Sequence, residues 1–409
     1  MKIPLYPPAW SFKEHLHAYN AMISLGQLVP DRRHELETFL SEFFCKSRVV
    51  LTSSGRAAID LALEMAKINA GDEIILPSLA CPAVIYPFLR RNALPIFVDV
   101  NDHLQMDVSS VEAAITSKTK AILAPHLFGG TADLPSLEHL ARKKGLPLID
   151  DAAQSFGLMT NGKPVGSFGD FGVVSFGPGK PVSSWRGGAL ILPMSNVEIP
   201  FSSPMTSRFR AAKQLFYFMV TRIWRKCLPS PPPLERGLSF ERLEGRYSVA
   251  RLDPLSIQLA QGLLHRHHRL REERKLRAIS LQEHLEKSAI FDFPFQRNST
   301  VFTKLPAILR TTKSSLQSIK TFWTDLLVQL RTQKMEISAP YVPLHLLCSE
   351  QHIPYRAVSL DRTERLWWKI VALPVDAPLS FENLRDFADK LPRIIQTSAS
   401  NAGINLLQN

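Results

Sequence analysis

From residue 49 to residue 192 the chain alternates short apolar runs with amphipathic stretches, and this alternation restricts the fold more than any other feature of the sequence. Val49 to Leu51, Glu73 to Leu76, Pro95 to Val100, Lys120 to Pro125 and Leu146 to Asp150 read as strands. Between them, Ala58, Leu61, Ala62 and Met65 recur at helical spacing, and Cys81 to Arg91, Val108 to Ile115 and Leu134 to Lys144 read as helices. Strand–helix alternation specifies a parallel sheet with helices packed on it. Strands that are nearly continuous apolar runs suit a sheet covered on both faces. Phe171 to Phe176 and Gly188 to Leu192 follow each other with no room for a crossover helix, so the sheet is expected to be mixed. The expected class is α/β: a mostly parallel, mixed central sheet flanked by helices, followed by a smaller α+β domain.

The flanks are less regular. Pro7 and Pro8 break the start, and His34 to Phe44 reads as a helix. Residues 1–250 are taken as the large domain and 251–409 as the smaller one, with an insertion at about 196–245 that ends in the proline cluster Pro229 and Pro231 to Pro233. Within it, Arg208 to Lys226 holds six basic residues, no acidic ones and a set of aromatic and aliphatic side chains. Such a helix suits either an anionic membrane surface or a packed interface. After Asp253 one long helix is expected, from Leu255 through Lys287. Val301 to Leu309 reads as a strand that Pro306 would confine to an edge. Ser314 to Gln333 reads as a helix, Trp367 to Leu373 as a strand, and Ser380 to Leu391 as the last helix, capped by Ser380. The tail from Thr397 is expected to fray.

Composition narrows the partners. Of 409 residues, 45% are hydrophobic and 21% charged, a globular balance, and the 49 basic against 37 acidic side chains leave a net charge of +12 that favours anionic partners. Cys45, Cys81, Cys227 and Cys348 are widely spaced, which speaks against a zinc site or a disulfide framework. With no secretory leader and no long apolar run in the sequence, a cytoplasmic location is expected, with 208–226 suited to peripheral membrane contact. The run His265 to Arg277 contains Glu272 and Glu273 and no aromatic residue, so it reads as a solvated helix face rather than a nucleic-acid platform. Its histidines lack metal-ligand spacing.

Five short segments carry the chemistry. Thr52-Ser53-Ser54-Gly55-Arg56 joins a strand to a helix and offers backbone N–H groups and the positive helix end to a phosphate. Asp150-Asp151-Ala152-Ala153-Gln154 sets two carboxylates at a strand end, where α/β sites lie; one would hold a protonated ring nitrogen or a metal, or simply cap a helix. Gly166 to Gly172 is a glycine-rich turn. Ser175-Phe176-Gly177-Pro178-Gly179-Lys180 holds a lysine close to a strand end, and Trp185 to Leu190 turns back into a strand. A phosphate cradle, an acidic partner for a ring nitrogen and an amine nucleophile together make the parts list of pyridoxal phosphate chemistry.

The ordered blocks SSGRAAIDLAL (53–63), GDEIILPSLACPAV (71–84), PIFVDV (95–100), ITSKTKAILAPHLFGGTADL (115–134), GLPLIDDAAQSFG (145–157), VGSFGDFGVVSFGPGK (165–180) and GGALIL (187–192) resemble the DegT/DnrJ/EryC1/StrS family of sugar aminotransferases, in the fold type I class. The resemblance covers most of residues 1–195 and, more loosely, 245–409. It implies pyridoxal 5'-phosphate as cofactor, with Lys180 as the Schiff-base lysine and proton shuttle, and Asp151 as the partner of the ring nitrogen. Gln154 would reach the ring's phenolic oxygen and Ala153 would pack on a ring face. Gly55, Arg56 and Ser175 would bind phosphate, and His126 would face the pocket towards substrate. It also implies a homodimer with shared sites, in which Arg251 completes the partner's site. The reaction would move an amino group, from glutamate, to a keto group of a nucleotide-linked sugar, with cell-envelope polysaccharide synthesis as the associated pathway class.

Three features depart from the family. Arg56 replaces a threonine, so a hydroxyl donor is absent. Cys81 stands where an aromatic ring usually stacks on the cofactor, with less area to offer. Residues 196–245 match poorly. Two alternatives therefore stand beside the aminotransferase: a binding or regulatory protein on the same scaffold, and a sugar dehydratase. The dehydratase branch replaces the lysine by histidine, which Lys180 does not fit.

Overall fold

The computed structural model describes residues 10–24, 29–45, 47–193, 198–201, 204–205, 207–227, 247–295, 300–312, 314–375 and 380–407. Pro7, Pro8, Pro229 and Pro231 to Pro233 lie outside them. Two helices lead in, α1 (Phe12–Ile23) and α2 (Arg33–Phe43). The alternating region follows as β1 (Arg48–Thr52), α3 (Gly55–Met65), β2 (Glu73–Pro77), α4 (Tyr86–Arg90) and β3 (Leu94–Val98). It continues with α5 (Val108–Ala114), β4 (Thr119–Pro125), α6 (Leu134–Lys144) and β5 (Leu148–Asp151). A small hairpin, β6 (Met159–Thr160) and β7 (Lys163–Pro164), precedes β8 (Phe171–Ser175) and β9 (Gly188–Leu192).

These strands form one eight-stranded sheet in the order β1-β9-β8-β5-β4-β2-β3-β12, where β12 is Arg356–Ala357. Only β9 runs against its neighbours, β1 and β8. The expected mixed sheet is therefore present, and for the expected reason: the twelve residues between β8 and β9 form a loop with no crossover helix, so β9 returns antiparallel beside β8. Strand alternation divides the core into layers. Ile74 and Leu76 pack towards α3 and α4, while Ile75 packs towards α5 and α6. A third layer, with Leu36, Leu40, Val49, Leu51 and Ile191, lies under α1 and α2.

At the β8 start, backbones pass too close for a side chain. A Cβ on Gly172 would sit 1.8 Å from the Gly166 carbonyl oxygen. Gly172→Ala is expected to cost at least about 3 kcal/mol, read as a fall in the denaturant midpoint; a change under about 0.5 kcal/mol would contradict this contact.

The remaining elements are α7 (Arg208–Cys227), α8 (Pro254–Leu264), α9 (His267–Glu286), β10 (Phe291–Asp292), β11 (Leu305–Leu309) and α10 (Leu316–Thr332). They end with α11 (Leu344–Glu350), α12 (Asp361–Leu366), β13 (Ile370–Leu373) and α13 (Phe381–Asn401). Among the described residues no helix is long and apolar enough to cross a membrane. β10, β11 and β13 form a three-stranded antiparallel sheet.

Several expectations are corrected here. The single long helix after Asp253 is two, because its halves serve different cores: Leu255, Leu259 and Leu263 pack with the α1–α2 layer, and Ala278, Leu281 and Leu285 with the C-terminal core. At the break, Arg266 turns to pair with Glu14 at 2.8 Å. The strand at 301–309 is only Leu305–Leu309, and it is central rather than at an edge. Pro306 is tolerated there because β10 reaches only Ile308 and Leu309. Trp367–Lys369 is a 3₁₀ turn ahead of β13. The tail from Thr397 does not fray: α13 runs on to Asn401, with Ile394, Ile395, Ser398 and Ala399 buried, and Leu406 bridges Thr311.

Candidate active site

The chemistry-bearing segments meet at the carboxyl ends of β5 and β8 and at the start of α3. Asp151 is the last residue of β5 and pairs with Val173 of the parallel strand β8. Paired residues share a face, and Ser175, two residues further on, shares it too. At about 3.3 Å per residue along a strand and about 4.8 Å between strands, the two Cα atoms are about 8 Å apart.

Ser175 meets the start of α3. A Cβ on Gly55 would lie 2.9 Å from the Ser175 Cβ and 3.3 Å from its Oγ, so only glycine allows this approach. Gly188 closes the same corner: a Cβ there would be 2.6 Å from the Gly55 nitrogen. Ser54 caps α3, its Oγ accepting the Ala57 N–H at 3.1 Å. The N–H groups of Gly55 and Arg56 open the first turn, where the helix itself supplies no acceptor. The Arg56 guanidinium does not hang free over this cradle: it lies 5.0 Å from the Tyr247 ring centroid and 5.9 Å from that of Tyr86. Cys81, half-buried, borders the same corner, where burial pushes the Tyr86 hydroxyl up to about 12 against the opposing charge of Arg56.

Asp151 is buried, and burial raises its carboxyl above the usual range. The Ala153 N–H (2.9 Å to Oδ1) and the charge of Lys180 oppose the rise, while Asp150 adds to it. Lys180 itself is half-buried. Its loop is closed at the base, where the Phe176 carbonyl accepts the Ser184 N–H at 3.0 Å, and it turns through Gly179 at φ +74°. Two elements outside the sheet pin it: buried Arg274 on α9 donates to the Pro181 carbonyl (2.9 Å), and the Trp10 indole donates to the Ser183 carbonyl (3.0 Å).

His126 and Asp150 form a buried pair, Nε2 to Oδ1 at 2.8 Å. The Ala132 N–H points at His126 Nδ1 (3.3 Å), which assigns the proton to Nε2 and leaves both ring nitrogens occupied by protein. The other oxygen of Asp150 accepts the N–H groups of Gly166 (2.6 Å) and Phe168 (3.1 Å). Gln154 is buried, its Oε1 accepting the Phe128 N–H at 3.2 Å, and Ala153 between it and Asp151 is half-buried. Arg251 bridges Thr52 through its backbone, and its exposed guanidinium lies 5.2 Å from the Phe201 ring.

Gly55, Arg56, Asp151, Ala153, Gln154, Ser175 and Lys180 are thus brought to one end of the sheet, with Cys81 beside Tyr86. His126 sits behind Asp151, and Arg251 at the rim of the Thr52–Gly55 turn. Sequence reasoning missed Asp150 as an anchor, Tyr86 and Tyr247 as the seat of Arg56, and Arg274 as a clamp. Only Asp150 left a signal, the paired aspartates followed by a turn rich in glycine N–H groups. A phosphate-bearing pyridine aldehyde suits these residues: N–H and hydroxyl donors in a cradle that a Cβ would fill, a buried carboxyl along the same face, and an amine whose charge acts on that carboxyl.

Comparison with known proteins agrees. Residues 13–198 match the model of the DegT/DnrJ/EryC1/StrS aminotransferase family. A UDP-N-acetyl-3-dehydro-alpha-D-glucosamine 3-aminotransferase of Acidithiobacillus ferrooxidans is 43% identical over 141 residues, 34% of this chain and 38% of that protein. A GDP-perosamine synthase of Vibrio cholerae is 34% identical over 192 residues, 46% of this chain and 52% of that protein. The matched stretch thus spans about half or less of these curated relatives. A putative sugar aminotransferase of Streptococcus pneumoniae, solved in its PMP form, superposes with a TM-score of 0.76 at 19% identity, covering 98% of this chain and all of that one. The fold is that of the fold type I pyridoxal phosphate aminotransferases.

Proposed function

We propose that this chain, a member of the DegT/DnrJ/EryC1/StrS aminotransferase family over residues 13–198, binds pyridoxal 5'-phosphate and moves an amino group from an amino acid, glutamate in the first instance, to a keto group of a nucleotide-linked sugar. The observation that carries this reading is the convergence of the Gly55–Ser175 cradle, the buried Asp151 carboxyl and the Lys180 amine at one sheet end. When bound, the cofactor supplies an aldehyde that takes up amines and a ring that withdraws electrons.

The protein's own residues do the rest. The Gly55 and Arg56 N–H groups and the Ser175 hydroxyl hold the phosphate, where the α3 dipole favours negative charge. Asp151 accepts the proton-bearing ring nitrogen, a cationic group that offsets the cost of burying its carboxylate. Gln154, whose oxygen accepts the Phe128 N–H, would offer its NH₂ to the phenolic oxygen. Ala153 and Cys81 line the ring. Lys180 would anchor the cofactor and, in each half-reaction, carry the proton between the substrate carbon and the cofactor's aldehyde carbon. His126 is a positioning residue: through Asp150 it steadies the strand end and the Gly166–Phe168 turn. A homodimer would set Arg251 of one subunit at the rim of the other's site. The +12 charge suits a substrate bearing a diphosphate.

The test is titration of the purified protein with pyridoxal 5'-phosphate, followed in the visible spectrum. Borohydride reduction and peptide mapping then locate any adduct. A visible band with the adduct on Lys180, bleached by glutamate, is the expected result. An adduct on another lysine, or no band, overturns the site; a band that no amino acid bleaches leaves the binding-protein reading in its place.

A further inference from the structure

Two neighbouring helices outside the candidate site expose apolar faces. On α1, Phe12, Leu16, Tyr19 and Ile23 recur at spacings of four, three and four, which puts them on one stripe; Phe12 is 83% and Ile23 67% exposed. The buried residues Glu14, Ala18 and Ala21 lie on the opposite side of the helix. α7 repeats the arrangement. Ala211, Ala212 and Leu215 are buried, whereas Phe209, Phe216 and Tyr217 are exposed, Tyr217 by 70%. Phe218 fixes α7 beside the segment leading into α1, its ring 6.5 Å from Trp10 and 6.1 Å from Trp185.

Charge on these helices has one sign. Lys13, Arg208, Arg210 and Lys213 are exposed among the apolar side chains. The α7 sequence adds Arg222, Arg225 and Lys226 and contains no aspartate or glutamate. The one acid of α1, Glu14, is buried and paired with Arg266.

We propose that the α1–α7 face docks on an anionic lipid bilayer. A second copy meeting this face across a two-fold axis would oppose these cations with the same cations. An anionic bilayer instead presents negative headgroups to the lysine and arginine tips and acyl chains to Phe12, Leu16, Ile23, Phe209 and Phe216. Tyr19 and Tyr217 suit the boundary between the two. The docked face is joined to the Lys180 loop through Trp10, and through Arg186, whose Nη1 lies 2.5 Å from Gln214 Oε1 on α7. The proposal stands whether or not the chain is an aminotransferase.

Co-sedimentation of the full chain with vesicles tests it, using phosphatidylcholine alone and phosphatidylcholine mixed with phosphatidylglycerol. Partition is expected to be at least about tenfold higher on the anionic vesicles and to fall as salt is raised. R210E/K213E should lose at least about tenfold of the anionic partition, and F216S/Y217S should release the protein from both vesicle types. All the substituted side chains are exposed, so circular dichroism and particle size should not change. Equal binding to both vesicle types, or none, overturns the proposal. So does a smaller particle for F216S/Y217S without vesicle binding, which would identify a second copy as what covers the face.

Discussion

Replacing Lys180 by alanine is expected to lower amino transfer on the order of 10⁴-fold or more while leaving the fold intact. Two losses combine. A positioned acid–base group contributes about 10²–10⁴-fold, and the covalent anchor for the cofactor is lost with the same side chain. Stability should change by no more than about 0.5 kcal/mol, because Lys180 is half-buried and its loop is held by Phe176, Arg274 and Trp10 rather than by the lysine. The measurement is steady-state transfer beside borohydride trapping and a melting curve. Retention of activity within tenfold would remove Lys180 from the chemistry; a collapse in melting temperature would make the loss structural.

Asp151→Asn is expected to move stability and activity in opposite directions. The carboxyl is raised in the folded protein because burial penalises its charge. Relative to the unfolded chain, its contribution to stability is fully present below the ordinary aspartate value of 3.8 and is lost as pH rises from there through the raised folded value. At neutral pH the cofactor-free wild type therefore carries the cost of a buried carboxylate, and the asparagine variant does not. Cofactor-free Asp151→Asn should melt higher than wild type at pH 7 and lose that advantage towards pH 3. Its activity should fall on the order of 10²–10³-fold, the usual loss when one preorganised electrostatic partner is removed. Pyridoxal 5'-phosphate should raise the melting temperature of wild type more than that of the variant, because a cationic ring nitrogen offsets the carboxylate's cost only where the carboxylate exists. Equal cofactor-induced shifts would remove Asp151 from the ring-nitrogen role.

The large sheet and most of the site were legible because they rest on local and near-local rules. Alternation of apolar strands with amphipathic helices located every strand from β1 to β5, and β8 and β9, within about two residues. The Ser54–Gly55 and Gly179–Lys180 turns are written in glycine and cap chemistry. What escaped had no local signature. Arg56 reads as a phosphate ligand beside Gly55, yet Tyr247, nearly 200 residues away, stacks on its guanidinium. Arg274 reads as one of many charges on a helix, yet it is buried and holds the Pro181 carbonyl. His126 reads as a pocket residue, but its ring is spent on Asp150 and Ala132.

The same division holds for the fold. By itself the sequence determined the mixed α/β sheet, because a side-chain period of two or 3.6 decides which backbone can bury an apolar run. It likewise determined the glycine and capping turns that set Gly55, Asp151 and Lys180 at strand ends. Tertiary structure alone decided that the helix after Asp253 breaks at Arg266, that Pro306 sits in a central strand, and that the segment from Thr397 stays ordered. Each depends on which distant surface the segment meets: Glu14 for Arg266, a two-residue β10 for Pro306, and the C-terminal core for Ser398 and Ala399. Burial and pairing with residues remote in the chain outweigh local propensity there, because desolvation and packing act on contacts that periodicity does not encode.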